Sequence, residues 1–321
     1  MRAGGLEGEI LPWRDVLHEG PVEADISLGE LSDRRARWLA EQGISEADQL
    51  LRDFLERDNL LRRYCDFDEV VLWFEWDLYD QLQLVQVLDF FSGAPADNCA
   101  ETGTRLSIVS FEGYLGNTDP ERFQGLFDGR REITQSMLGH AKAVWSAFRS
   151  SNPLELNRVI RLNDEELPFL SLAIARQLEE FPSTLNGLSR SESQILEAVS
   201  QKTASFHEIF STCANREERI YLGDTTLAMY IERMSRDENA LIRYTSGELI
   251  DAPRSTEDSR AFRNAEMALT AKGRAVLACE EDWIRLGGSD RWLGGVRLEG
   301  SNAKWRWDPD RREVIADGAA A

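Results

Sequence analysis

The sequence has no apolar run longer than five residues, 70–74, far short of the roughly 18 that a membrane-spanning helix needs. The opening Met-Arg-Ala-Gly-Gly-Leu-Glu-Gly-Glu has no apolar signal segment, so a cytoplasmic location is expected. Histidine is scarce: His18, His140 and His207 lie far apart, which argues against a histidine-rich metal centre. Cys65, Cys99, Cys213 and Cys279 form no Cys-x-x-Cys pair, and without an export signal they are expected as reduced thiols, with neither a disulfide nor a zinc site. Gly-x-Gly-x-x-Gly, Gly-x-x-x-x-Gly-Lys-Ser/Thr and Gly-x-Ser-x-Gly are absent, so a dinucleotide fingerprint, a P-loop and a hydrolase elbow are all unsupported. Positive charge is short as well. Against 57 Asp and Glu stand 37 Lys and Arg, and a net charge of −20 repels nucleic acid and anionic membrane at long range.

What remains is an ordinary globular composition, 42% apolar and 29% charged over 321 residues, enough for two cores. Alternating strand-like and helix-like segments mark residues 1–133 as an α/β domain with an open, largely parallel sheet. Residues 8–12 read as a short strand. Leu31, Trp38, Leu39, Leu50, Phe54, Leu55 and Leu61, interrupted at Gly43 and Ser45, predict two amphipathic helices between 28 and 63. Residues 69–75 form the clearest buried strand. Leu78, Leu82, Val85, Leu88 and Phe91 follow at helical spacing, and 105–111 supply the next strand.

Residues 134–187 turn wholly helical and read as an extension of the first domain. The breaker-rich segment 181–188 coincides with a charge shift, −16 up to residue 188 and −4 after it, and marks a boundary. Three short helices then follow, at 190–200, 206–214 and 224–234. A strand at 240–245, a Ser246-Gly247 turn, a return at 248–250 and a helix beginning Leu269-Thr-Ala-Lys-Gly-Arg274 complete a winged-helix-like α+β domain over 188–321. Its tail reads as a small β meander turned at Pro309-Asp310.

Four strings stand out together: Ile10-Leu-Pro-Trp-Arg-Asp-Val-Leu-His-Glu-Gly-Pro21, Trp73-Phe-Glu-Trp-Asp-Leu-Tyr-Asp-Gln-Leu-Gln-Leu84, Glu180-Phe-Pro-Ser-Thr-Leu-Asn-Gly-Leu-Ser-Arg190 and Asp290-Arg-Trp-Leu-Gly-Gly-Val296. With them the chain resembles the bacterial family catalogued as domain of unknown function 1835, whose chemistry is unassigned. In the family pattern a further strand ending Asn-Gly-Asp-Ser precedes the first string, without a counterpart here, and His commonly stands at the position of Trp76.

Two constellations could carry chemistry. Glu75, Asp77 and Asp80, with Gln81 and Gln83, fall at the carboxyl end of the 70–74 strand, where open α/β sheets bind ligands. Glu75 and Asp77 could hold Mg²⁺ against a phosphorylated substrate or act as general acid and base. The structural account is equally concrete, with Asp77 as N-cap and Asp80 favoured by the helix dipole. Trp13, Arg14, Asp15, His18 and Glu19 form the second set: a cation, a titratable imidazole and carboxylates that could grip an anionic ligand, or an Arg14 ion pair that merely fixes the loop.

The leading expectation is a small-ligand-binding α/β domain coupled to a winged-helix-like regulatory or interaction module that contacts a protein partner. A Mg²⁺-dependent hydrolase or transferase acting on a phosphate, with His18, Glu75 and Asp77 catalytic, is the alternative. A DNA-binding regulator ranks third, because helix 224–234 sets Arg233 and Arg236 against Asp224 and Glu232 in a strongly acidic chain.

Overall fold

The computed structural model describes residues 5–94, 103–162, 165–236, 238–253 and 256–318. Residues 8–12 form no strand. The first strand is the two-residue β1 (Gly20–Pro21), which finds its partner only in the far C-terminal part of the chain. Ser27 caps α1 (Leu28–Glu41) and Glu30 reaches back to it, a reciprocal box of the kind that contributes about 1 kcal/mol. Gly43, at φ +74°, breaks the chain before α2 (Ala47–Arg62), which packs on α1.

β2 (Glu69–Glu75), α3 (Leu78–Gly93) and β3 (Arg105–Phe111) make the expected strand, helix, strand unit, with β2 and β3 parallel from Glu69 opposite Arg105 to Glu75 opposite Phe111. After β3 the chain runs through α4 (Arg122–Asp128) into β4 (Arg131–Glu132), which pairs antiparallel. Helices α5 (Gln135–Arg149), α6 (Leu154–Val159) and α7 (Leu170–Leu178) follow. α3 is flanked by α5, α7 and β2 and is buried on nearly every side, so its polar Gln81, Gln83 and Gln86 must find partners inside the protein.

The next stretch comprises α8 (Arg190–Ala198), β5 (Ala204–Ser205), α9 (Phe206–Arg216), α10 (Asp224–Met234), β6 (Ile242–Tyr244), α11 (Thr256–Asn264), β7 (Glu266–Leu269) and α12 (Ala271–Leu277). The turn after β6 closes as expected, Gly247 N–H donating to the Tyr244 carbonyl, but residues 248–250 do not return as a strand. β6 pairs instead with β7, in a three-stranded antiparallel sheet of order β5-β7-β6. Four tail strands close the chain: β8 (Asp290–Gly294), β9 (Val296–Glu299), β10 (Trp305–Asp308) and β11 (Glu313–Ala316).

The class is therefore mixed α/β. In place of one open sheet, the described residues carry four sheets of two or three strands, because a single strand, helix, strand crossover is followed by helices rather than by further parallel strands. Two main cores result. Residues from Leu188 to Trp283 build one, while Ile284, Leu293, Val296, Leu298, Trp307 and Val314 of the tail join Leu82, Phe148 and Phe181 in the other. Among the described residues no helix is long and apolar enough to cross a membrane. Cys213 and Cys279 are free thiols. Cys65 is disulfide-bonded, against the expectation, and Cys99 lies outside the described residues.

The tail acts as a strap. Gly20 and Pro21 pair parallel with Leu293 and Gly294 of β8, and Gly295 N–H donates to the Phe148 carbonyl at 2.9 Å. A Cβ on Gly295 would lie 1.8 Å from the Arg149 carbonyl oxygen. Gly295→Ala is expected to cost roughly 3 kcal/mol. A thermal melt unchanged from wild type would show that the strap is not seated this way.

Candidate functional site

The strand-end carboxyls come together where β2 gives way to α3. Asp77 is the N-cap, accepting from Asp80 N–H at 3.2 Å, while Asp80 accepts from Glu75 N–H at 2.6 Å. Glu75 accepts from Leu115 N–H at 2.6 Å, which ties the turn to the loop after β3. Gln81 donates to the Glu75 carbonyl at 2.6 Å. The capping account is thus realised, yet capping does not make these carboxyls ordinary acids. Burial, then Asp80 and Glu75, pushes Asp77 up to about 7, and burial also raises Glu75 and Asp80. A carboxyl near 7 is matched to proton transfer at neutral pH and to ligands that donate hydrogen bonds or carry positive charge.

Among the described residues no group of three or more His, Cys, Asp or Glu side chains could hold a metal ion. Glu75 and Asp77 each direct carboxylate oxygen at backbone N–H groups instead.

The loop with the second set lies beside this turn. Gln83 donates to the Asp15 carbonyl at 3.3 Å, and Trp13 Nε1 donates to Gln86 at 2.8 Å. The Arg57 guanidinium lies 4.1 Å over the Trp13 ring. Asp15 is buried, and its partner is Arg35 of α1 at 2.7 Å, whereas Arg14 is exposed. The ion pair that fixes the loop therefore exists, with a different arginine. His18 is buried edge-on to Tyr79 and Tyr221, and neither ring nitrogen has a hydrogen-bond partner among the described residues. Burial lowers it to about 4 against the opposing pull of Glu19 and Glu180, so at neutral pH the ring is an uncharged packing element.

Glu19 opens a buried ionic network that sequence reasoning missed. It accepts from the Tyr230 hydroxyl at 2.6 Å and pairs with Arg233 at 2.7 Å and Arg291 at 3.3 Å. Arg291 also pairs with Glu180, which meets Arg176 at 2.7 Å, the Ser191 hydroxyl at 2.6 Å and the Tyr221 and Tyr230 hydroxyls. Arg176 continues to Glu217 at 2.8 Å. Burial opposes ionisation of Glu19 and Glu180, but the arginines outweigh it and hold both carboxyls below the usual range. Glu180 and Arg291 lie within two of the strings that carry the family resemblance, which was the available signal. Arg176, Tyr221 and Tyr230 carried none, since a buried arginine and a surface arginine look alike in sequence. No family model and no curated protein matches this chain.

Two outcomes test this geometry. Asp77 in the folded chain keeps a proton that the unfolded chain has lost, so its contribution to stability is full below pH 3.8 and declines as pH rises through about 7. Asp77→Asn keeps a capping oxygen and removes the ionisation, and should gain about 2 kcal/mol on wild type between pH 5 and pH 8. A difference that does not change with pH would mean that Asp77 ionises normally. Glu180→Gln strips the charge that Arg176 and Arg291 face, and is expected to lower the free energy of urea unfolding by about 3 kcal/mol. A loss below about 1 kcal/mol would show that water already screens the network.

Proposed function

We propose that the protein binds a small ligand at the Glu75, Asp77, Asp80 edge, and that residues 188–283 form a winged-helix-like module with a regulatory or interaction role. The observation that carries this reading is the position of residues 13–19. The loop is bonded on one side to α3, through Gln83 and the Asp15 carbonyl, and on the other to α10, through Glu19 with Tyr230 and Arg233. A change at the carboxyl edge therefore has a short packed route to the module. The opening order of helix, strand and two helices, with β6 and β7 paired in a sheet of order β5-β7-β6, supports the winged-helix comparison, although α11 stands between β6 and β7 where a wing would turn directly; α10 takes the place of a recognition helix. All four strings of the family resemblance contribute residues to this region, which favours the likeness to the family of unknown chemistry.

A DNA reader needs its third helix free and basic. Here Thr226, Leu227, Ala228, Met229, Tyr230, Ile231, Glu232 and Met234 are buried, and Arg233 is committed to Glu19. Contact with protein is the better use of such a module. The magnesium-dependent phosphate enzyme remains the alternative, with weaker support because the carboxyls do not converge as a donor set. Ligands that complement raised carboxyls are organic cations and hydrogen-bond donors.

Calorimetric titration with small amines, amidines, nucleotides and Mg²⁺ checks the reading. A cationic ligand that prefers ionised Asp77 should bind about fivefold more tightly at pH 7 than at pH 6, gain at most about twofold more above that, and lose affinity in Asp80→Asn. No binder in any class would overturn the ligand reading, and Mg²⁺-dependent phosphoester turnover lost in Asp77→Ala would replace it with the enzyme.

A further inference from the structure

Arg219 belongs to the segment between α9 and α10, on the module, yet its guanidinium reaches the α/β unit. Its Nη1 donates to the Trp76 carbonyl at 3.0 Å and to the Phe169 carbonyl at 3.4 Å. The same group lies over both rings, 4.8 Å from the Trp76 centroid and 5.2 Å from that of Phe169. Only a planar cation with several donors combines stacking with a forked hydrogen bond, so lysine is not an equivalent. Trp76 stands between Glu75 and Asp77, which makes its peptide part of the turn that presents the carboxyls. Glu112, Tyr114 and Asp77 are the charged or titratable neighbours of the guanidinium.

The covalent attachment of the module is narrow. Its two ends run side by side: Trp283 N–H donates to the Asn186 carbonyl at 2.7 Å, and a Cβ on Gly187 would lie 2.8 Å from the Ile284 nitrogen. Two adjacent crossings define a hinge line, and away from it the module is held by contacts that can be made and broken. Two of these reach the ligand-site region, the α10 contact with Glu19 and the Arg219 contact with the strand-end turn.

We propose that Arg219 is a positioning residue that latches the module onto the turn at residues 75–80, so that the conformation of this turn and the docking of α10 are coupled. The proposal rests on the reading of that turn as the ligand site, since the coupling is what would let a bound ligand act on the module. Coupling free energy is reciprocal, so each side must feel the loss of the other.

Hydrogen–deuterium exchange on the full chain tests this without any ligand. Arg219→Gln, altered on the module, should raise exchange at least tenfold in residues 76–80. Trp76→Leu, altered on the α/β unit, should raise it similarly in 224–234. Residues 135–149 serve as the internal standard and should match wild type in both. Arg219→Lys, the gentler change, should loosen 76–80 by less than Arg219→Gln, and it decides the matter if Arg219→Gln fails to melt cooperatively. Exchange that rises only on the altered side, in either direction, overturns the latch. Failure of the ligand reading is distinguishable, because calorimetry without a binder would leave the reciprocal exchange pattern standing.

Discussion

Burial of Glu19 and Glu180 is the constraint around which the molecule is arranged. A carboxylate taken out of water is strongly unfavourable unless a cation and hydrogen bonds replace the lost hydration. No single element supplies them: Arg176 comes from α7, Tyr230 and Arg233 from α10, and Arg291 from β8. Three distant parts of the chain must therefore arrive together before either carboxylate is satisfied. Apolar packing alone would tolerate small shifts of α10 over the first core. Paired charges do not, which gives the docking of residues 188–283 a defined register.

The return of the tail serves the same end. Arg291 reaches the network because β8 runs beside Gly20 and Pro21, and those two residues directly follow Glu19. The parallel pairing thus fixes a carboxylate and its arginine on neighbouring strands. On the opposite flank Arg149 donates to the carbonyls of Glu23 and Ile26 at 2.7 and 2.9 Å, holding the chain as it leaves β1 for α1. The loop at residues 13–19 is accordingly clamped at both ends, and motion within it has few directions to take.

How far the sequence was legible follows from the range of each interaction. Residues 69–75, 105–111 and the helix behind them were readable because apolar periodicity is local and strong. Residues 8–12 looked like a strand by composition, but a strand needs a partner, and the partnered position was Gly20–Pro21, set by a chain segment some 270 residues away. The same reason explains 248–250: the turn at Gly247 formed, while the edge of β6 went to β7. At the site, the cap by Asp77 and the joining of the two constellations could be anticipated. That Asp15 takes Arg35 rather than Arg14 could not, because ion-pair choice depends on which side chain the fold buries, and charge alone does not distinguish the two.

Proton linkage ties these features into one behaviour. His18, lowered from 6.5 to about 4, contributes stability that is present above pH 6.5 and lost as pH falls toward 4. Asp77, raised from 3.8 to about 7, contributes in the opposite sense, losing stability as pH rises across nearly the same window. Each group exchanges one proton, so between pH 4 and 6.5 the two slopes largely cancel. The cancellation has a structural origin, because burial acts against whichever form is charged, the imidazolium in one case and the carboxylate in the other. Both groups are thereby held neutral in mildly acidic solution, while the buried carboxylates Asp15, Glu19 and Glu180 are paired with arginines. Between pH 6.5 and about 7 the balance ends, since His18 is neutral in both folded and unfolded chains while Asp77 in the folded chain is still ionising. The turn at residues 75–80 then carries a charge that no arginine among the described residues meets at ion-pair distance, and this is the charge that the proposed cationic ligand would meet.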